Sequence, residues 1–113
     1  AQAIIENKEK VLEANSLDVE KFKKENPDDP TVDRLVLNEK RLESAAEGLK
    51  KISQLPDPIG EVVEGWTTIH GLRIQKIRVP LGVIGVVYES RPNVTIDISG
   101  VAIKSGNAVI LRG

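Results

Sequence analysis

An α/β fold with its helices first and its strands after is predicted by three features of the sequence. Up to Gln54 the apolar side chains recur at helical spacing. Residues 61–79 switch to runs rich in β-branched side chains around a turn-like "IHG". Residues 82–112 then read strand, loop, helix, glycine, strand. That last succession is a βαβ unit of about 30 residues, whose strands run parallel and whose crossover is right-handed.

In "AIIENKEKVLEAN", Ile4, Val11 and Leu12 fall at i, i+7 and i+8, while Glu6, Lys8, Glu9 and Lys10 lie mostly on other faces, so a surface helix with one buried stripe is expected. Ser16 is expected to cap a second helix through "LDVEKFKKEN", which must stop at Pro27 because proline restricts its predecessor and has no amide hydrogen. Asp29 and Pro30 read as the N-cap and first residue of a helix through "TVDRLVL". Asn38 reads as the cap of "EKRLESAAEGLKKISQL", where Leu42, Ala45, Ala46, Leu49 and Ile52 form a stripe and Lys50 and Lys51 sit near the negative end of the helix dipole. Pro56 closes this helical part.

"PDPIG" separates it from a hairpin, "EVVEGWTT" and "LRIQKIRVP". Leu72 and Ile74 share one parity and Ile77 and Val79 the other, so a bulge, or a change of layer, is expected near Gln75 and Lys76. "VIGVVY" and "AVILR" are continuous apolar runs of the kind that strands buried on both faces show. Between them Asn93 is expected to cap a helix lined by Val94, Ile98, Val101 and Ala102, which ends at Gly106. Two strands and one helix do not complete a sheet, so the sequence is expected to be the front of a larger α/β enzyme.

Sixteen basic against 17 acidic side chains leave a net charge of -1, which gives no electrostatic reason to expect nucleic acid or an anionic membrane as partner. A small molecule or a protein is the expected partner. No apolar run approaches the roughly 20 residues of a membrane span, and residues 1–15 lack the basic-then-apolar order of a secretory signal, so a cytoplasmic location is expected. The absence of cysteine removes disulfides, thiolate metal sites and a cysteine nucleophile from these residues.

The stretch that carries chemistry is "ESRPN", residues 89–93, at the carboxyl end of the first strand of the βαβ unit. Ligands of open α/β sheets collect at such ends. Arg91 offers a planar fork of donors for phosphate or carboxylate, Ser90 and Asn93 add short polar groups, and Pro92 stiffens the backbone between them. The structural alternative is a capped connector, with Asn93 on the helix amides and Arg91 paired to Glu89 or Asp97. Both readings stay open on these residues. Neither G-x-G-x-x-G nor G-x-x-x-x-G-K-[ST] is present, and Ser90 is outside any G-x-S-x-G elbow. His70, the one histidine, reads as a solvated turn residue, and Trp66 as a strand aromatic that packs.

"LPDPIGEVVEGWTTIHGLRIQKIRVPLGVIGVVYESRPNVTIDISGVAIKSGNAVILRG", with the upstream "ENKEKVLEANSLDVE" and "DRLVLNEKRLESAAEGLKKI", resembles the amino-terminal part of the gamma-glutamyl phosphate reductase family, within the aldehyde dehydrogenase superfamily. The resemblance implies an aldehyde dehydrogenase-like α/β fold. Residues 1–58 would be the amino-terminal helical part of the nucleotide-binding domain, 59–80 a β-ribbon of an oligomerisation flap, and 81–113 the start of the NADP-binding sheet. It implies NADPH-dependent reduction of L-glutamate 5-phosphate to L-glutamate 5-semialdehyde with release of phosphate, in proline biosynthesis, by a homo-oligomer. A cysteine outside these residues would attack the acyl phosphate, and hydride from the nicotinamide would reduce the thioester. Carried over residue by residue, Asn93 matches the asparagine that binds the oxyanion in related enzymes. Arg112 stands where those relatives place a lysine on the adenosine ribose. Glu89, Ser90 and Arg91 would be cofactor or substrate contacts by position. The alternatives are another aldehyde or acyl-phosphate dehydrogenase, or a non-catalytic binding or oligomerisation module of the same fold.

Overall fold

The computed structural model describes residues 1–89 and 91–113. The amino-terminal half is helical, as expected, but its first break comes earlier. Helix α1 spans Gln2–Glu6, and α2 runs without interruption over Lys8–Glu25. The joint is Asn7, whose φ of -107° and ψ of 18° leave the helical region and whose side chain donates to the Ala3 carbonyl at 2.9 Å. Ser16 therefore caps nothing. Inside α2 its hydroxyl is satisfied by the Glu13 carbonyl at 2.7 Å, a back-bond that lets serine persist in a helix interior. The stop before Pro27 is as expected, with Asn26 leaving the helical region at a φ of -138° and a ψ of 71°.

Asp29 makes a turn rather than a helix cap: its carboxylate accepts from the Thr31 amide at 2.8 Å. The helix that follows, α3, is only Val32–Leu35. It ends early because competing side chains take its backbone. Asn15, buried in α2, donates to the Leu35 carbonyl at 2.9 Å and accepts from the Leu37 amide at 2.7 Å. Arg41 donates to the carbonyls of Asp33 and Val36, both at 2.6 Å. These bonds hold residues 36–38 extended, and Asn38 then caps α4, Glu39–Gln54, by accepting from the Arg41 amide at 2.8 Å. Such a cap stabilises by about 1 kcal/mol. An ion pair between Lys8 and Glu39 joins the starts of α2 and α4.

The core is centred on α4, which packs on α1, α2 and α5. Leu42 is 1% exposed, and Ala45 and Ala46 are buried beside it, so the first three positions of the expected stripe form the floor of the core. The last two, Leu49 and Ile52, are half-buried against α5, Pro92–Lys104. Helices α4 and α5 approach closely because glycines face the contact. A Cβ on Gly48 would lie 3.7 Å from the Asp97 carboxylate, and one on Gly100 would lie 2.3 Å from Leu49 Cδ2.

The hairpin is formed by β1, Val62–Thr67, and β2, Arg73–Ile77, joined by a turn in which Gly71 has a φ of 83°. The irregularity lies in the other strand from the one expected: Val62 pairs with Ile77 and Glu64 with Lys76, so Val63 is the extra residue and the bulge is in β1. His70 is exposed in the turn, as expected, whereas Trp66, opposite Ile74, is still 49% exposed. Among the described residues neither ribbon strand packs extensively on any element except its partner. The radius of gyration is consequently 19.7 Å, against about 13 Å for a compact chain of this length.

The second sheet pairs β3, Val83–Val87, with β4, Ala108–Arg112, in parallel, Val83 opposite Ala108 and Val87 opposite Arg112. Helix α5 crosses over between them and covers the face of Ile84, Val86, Val109 and Leu111. The other face is open, which corrects the expectation of burial on both sides: Val83, Val87 and Ile110 are 67%, 81% and 65% exposed. One helix shields one face only. At the end of α5, Gly106 adopts a φ of 71°. A Cβ there would also meet Ile59 Cδ1 at 2.6 Å and Pro80 Cγ at 3.0 Å, the residues flanking the base of the ribbon. Asn107 closes the unit by accepting from the Gly82 amide at 2.9 Å.

Candidate active-site turn and its relatives

Helix α5 begins where proline is best tolerated. Pro92 takes the first helical position, where its missing amide hydrogen costs nothing, so Arg91 becomes the N-cap residue and Asn93 the second residue of the helix. The expectation that Asn93 caps this helix is therefore corrected. Among the described residues no side chain caps α5, and Asn93 is exposed. The pairing of Arg91 with Glu89 or Asp97 is not among the ion pairs of the described residues either. Glu89 is exposed in a bend after β3, and Ser90 lies outside the described residues.

The turn sits between two concavities. A cleft of about 530 Å³ separates it from α2, with Lys10, Asn15, Asp18, Tyr88, Arg91 and Thr95 among its walls. Tyr88 is held there by a hydrogen bond between its hydroxyl and that of Thr95, and its amide donates to the Arg112 carbonyl at 3.0 Å, carrying the sheet pairing one residue further. On the other side a groove of about 340 Å³ is lined by Asp33, Arg34, Arg41, Arg91, Asn93 and Val94. Beyond this groove, the Thr31 amide and hydroxyl, with Arg34 adding its charge, hold the Asp29 carboxyl below its ordinary value.

The five expected site residues do not all converge. Arg91 and Asn93 share the second groove. Arg112, the last residue of β4, alternates with Leu111 and so lies on the uncovered face of the sheet with Val87 and Ile110. The sequence reading missed Asp33, Arg34 and Arg41 as neighbours of the turn, because 50 to 58 residues separate them from Arg91 and no local pattern links them. No group of three or more metal-ligating side chains is assembled among the described residues. No helix among them is long and apolar enough to cross a membrane.

No family model matches the chain. Curated relatives do. The chain is 55% identical over all 113 residues to gamma-glutamyl phosphate reductase of Thermoanaerobacter sp. (strain X514), 27% of whose length it covers. It is 50% identical, with the same coverage, to the enzyme of that name from Halothermothrix orenii. The chain matches the gamma-glutamyl phosphate reductases along its full length. Solved structures agree. The crystal structure of gamma-glutamyl phosphate reductase from Thermotoga maritima superposes with a TM-score of 0.92 at 45% identity, over 99% of this chain and 27% of that one. The Saccharomyces cerevisiae gamma-glutamyl phosphate reductase gives 0.91 at 35% identity, over 99% and 29%. The expected resemblance and fold class are thus borne out, the fold being that of the amino-terminal region of the reductase structures. The chain spans about a quarter of the length of these reductases.

Proposed function

We propose that the intact protein containing this chain reduces L-glutamate 5-phosphate to L-glutamate 5-semialdehyde, releasing phosphate, with NADPH as the hydride donor. The carrying observation is identity of 50% or more, over every residue of the chain, to reductases named for that substrate. In this reading residues 1–58 brace the nucleotide-binding domain, 59–80 form the oligomerisation ribbon, and 81–113 start the cofactor-binding sheet.

The uncovered sheet face suits a nicotinamide dinucleotide. It offers apolar Val83, Val87 and Ile110, a Gly85 at which an added Cβ would touch nothing within 4 Å, and a guanidinium at its end in Arg112. Arg112 would take the ribose or its 2'-phosphate, and Glu89 and Ser90, by their place in the matching loop, would be further cofactor or substrate contacts. The cofactor, when bound, supplies the hydride. Asn93, exposed beside the groove, donates its side-chain amide to the oxygen of the reacting carbonyl as charge builds there. The cysteine that the resemblance implies is not among these residues.

The test is oxidation of glutamate 5-semialdehyde by the full-length protein with NADP and phosphate. Turnover that requires phosphate and exceeds that with simple aldehydes supports the reading. Equal turnover of propionaldehyde without phosphate rejects it.

Subunit contact through the ribbon is proposed on physical grounds, since a two-stranded hairpin alone is marginal in water and this one exposes Trp66, Ile69 and Leu72. Replacing residues 61–79 by a short glycine-serine linker is expected to reduce the assembled mass measured by light scattering. An unchanged mass would remove the ribbon from the interface.

A further inference from the structure

The groove beside Asn93 concentrates positive charge in a chain that is otherwise balanced. Three arginines, Arg34, Arg41 and Arg91, and one acidic residue, Asp33, line a space of about 340 Å³. That carboxylate is already committed to Arg41 Nη2, 3.3 Å away, while Arg41 Nη1 donates to the backbone carbonyls of Asp33 and Val36. Arg41 is therefore a fixed part of the wall. Arg34 and Arg91 form no ion pair among the described residues, although Arg34 lies near enough to Asp29 to help lower its pKa. Two guanidiniums facing one concavity repel each other unless an anion lies between them, and each presents a planar fork that fits two oxygens of a phosphoryl or carboxylate group.

We infer that this groove is a substrate subsite for an oxyanion, with Arg34 and Arg91 as its two ligating side chains. The inference rests on the proposed reductase reading and refines it, because it assigns Arg91 to the substrate rather than to the cofactor. An anion held between Arg34 and Arg91 lies next to Asn93, so one end of the substrate is anchored beside the group that faces the reacting oxygen. Arg112, on the uncovered sheet face, is left to the cofactor.

Titration calorimetry on the full-length protein tests this, with inorganic phosphate and L-glutamate as separate probes. Arg34→Gln and Arg91→Gln are each expected to weaken binding of at least one probe about tenfold or more, the scale of a lost charge-assisted hydrogen bond. The affected probe tells which group is held, phosphate marking a phosphoryl and glutamate a carboxylate. NADPH affinity, followed by its fluorescence, is expected to stay within about twofold in both variants and to weaken in Arg112→Gln. Both arginines are solvent-accessible, and melts without ligand check that the variants fold. The subsite is overturned if neither probe binds the wild-type protein, if both probes bind the variants as they bind the wild type, or if Arg91→Gln weakens NADPH and neither anion. Loss of anion binding in a protein that does not turn over glutamate 5-semialdehyde would keep the subsite and reject the reductase reading. Normal turnover with unaltered anion binding would do the reverse.

Discussion

Asn93→Ala in the full-length enzyme is expected to lower turnover about a hundredfold while leaving the melting temperature nearly unchanged. Loss of one oxyanion donor raises the barrier by about 3 kcal/mol, because the bond is strongest when the carbonyl oxygen is most negative. Folding should be spared, since Asn93 is exposed, takes the second helical position and caps nothing. A lost cap would have cost roughly 1 kcal/mol of stability. Steady-state kinetics beside thermal melts separate the two effects. Turnover within about twofold of wild type, worth only ~0.4 kcal/mol of barrier, would remove Asn93 from the chemistry.

Leu42→Ala should show the opposite profile. Leu42 is 1% exposed on the helix that packs on α1, α2 and α5, so truncation leaves a cavity where three helices meet a fourth. A loss of about 2–5 kcal/mol is expected from denaturant unfolding of the intact protein. The KM for NADPH should not move, because Leu42 lies on α4, which packs on α5 and not on the uncovered sheet face proposed for the cofactor. A loss below about 1 kcal/mol would mean that this helical layer collapses around the gap or contributes little to the whole enzyme's stability.

What the sequence disclosed about this fold depended on how far each interaction reaches. The Asn38 cap was legible because donor and acceptor are three residues apart. Asn15 gave no signal, since its partners lie 20 and 22 residues away, yet it decides where α3 ends. Pro92 did carry a signal: proline prefers the first helical position, and weighing that preference above Asn93's capping propensity would have placed Arg91 at the cap. The apolar runs of β3 and β4 announced strands but not how many faces are covered, because an uncovered face that meets a ligand or another layer is equally apolar. The groove was invisible for a simpler reason. Arg34, on α3, and Arg91, at the start of α5, line one groove only because of tertiary packing between distant elements.

Two glycines of the βαβ unit, Gly85 and Gly106, answer to different demands, and descendants of this sequence should show it. At Gly106 both a left-handed backbone and the close approach of Ile59 and Pro80 strain any added side chain. The position is thus closed whatever the protein does, and its persistence in a lineage says nothing about activity. Gly85 has neither restraint: no positive φ, and open space where a methyl would go. A strand gains from replacing glycine by alanine, so drift alone would soon fill that position. Glycine retained there across divergent descendants would be the trace of a ligand lying flat against the strand.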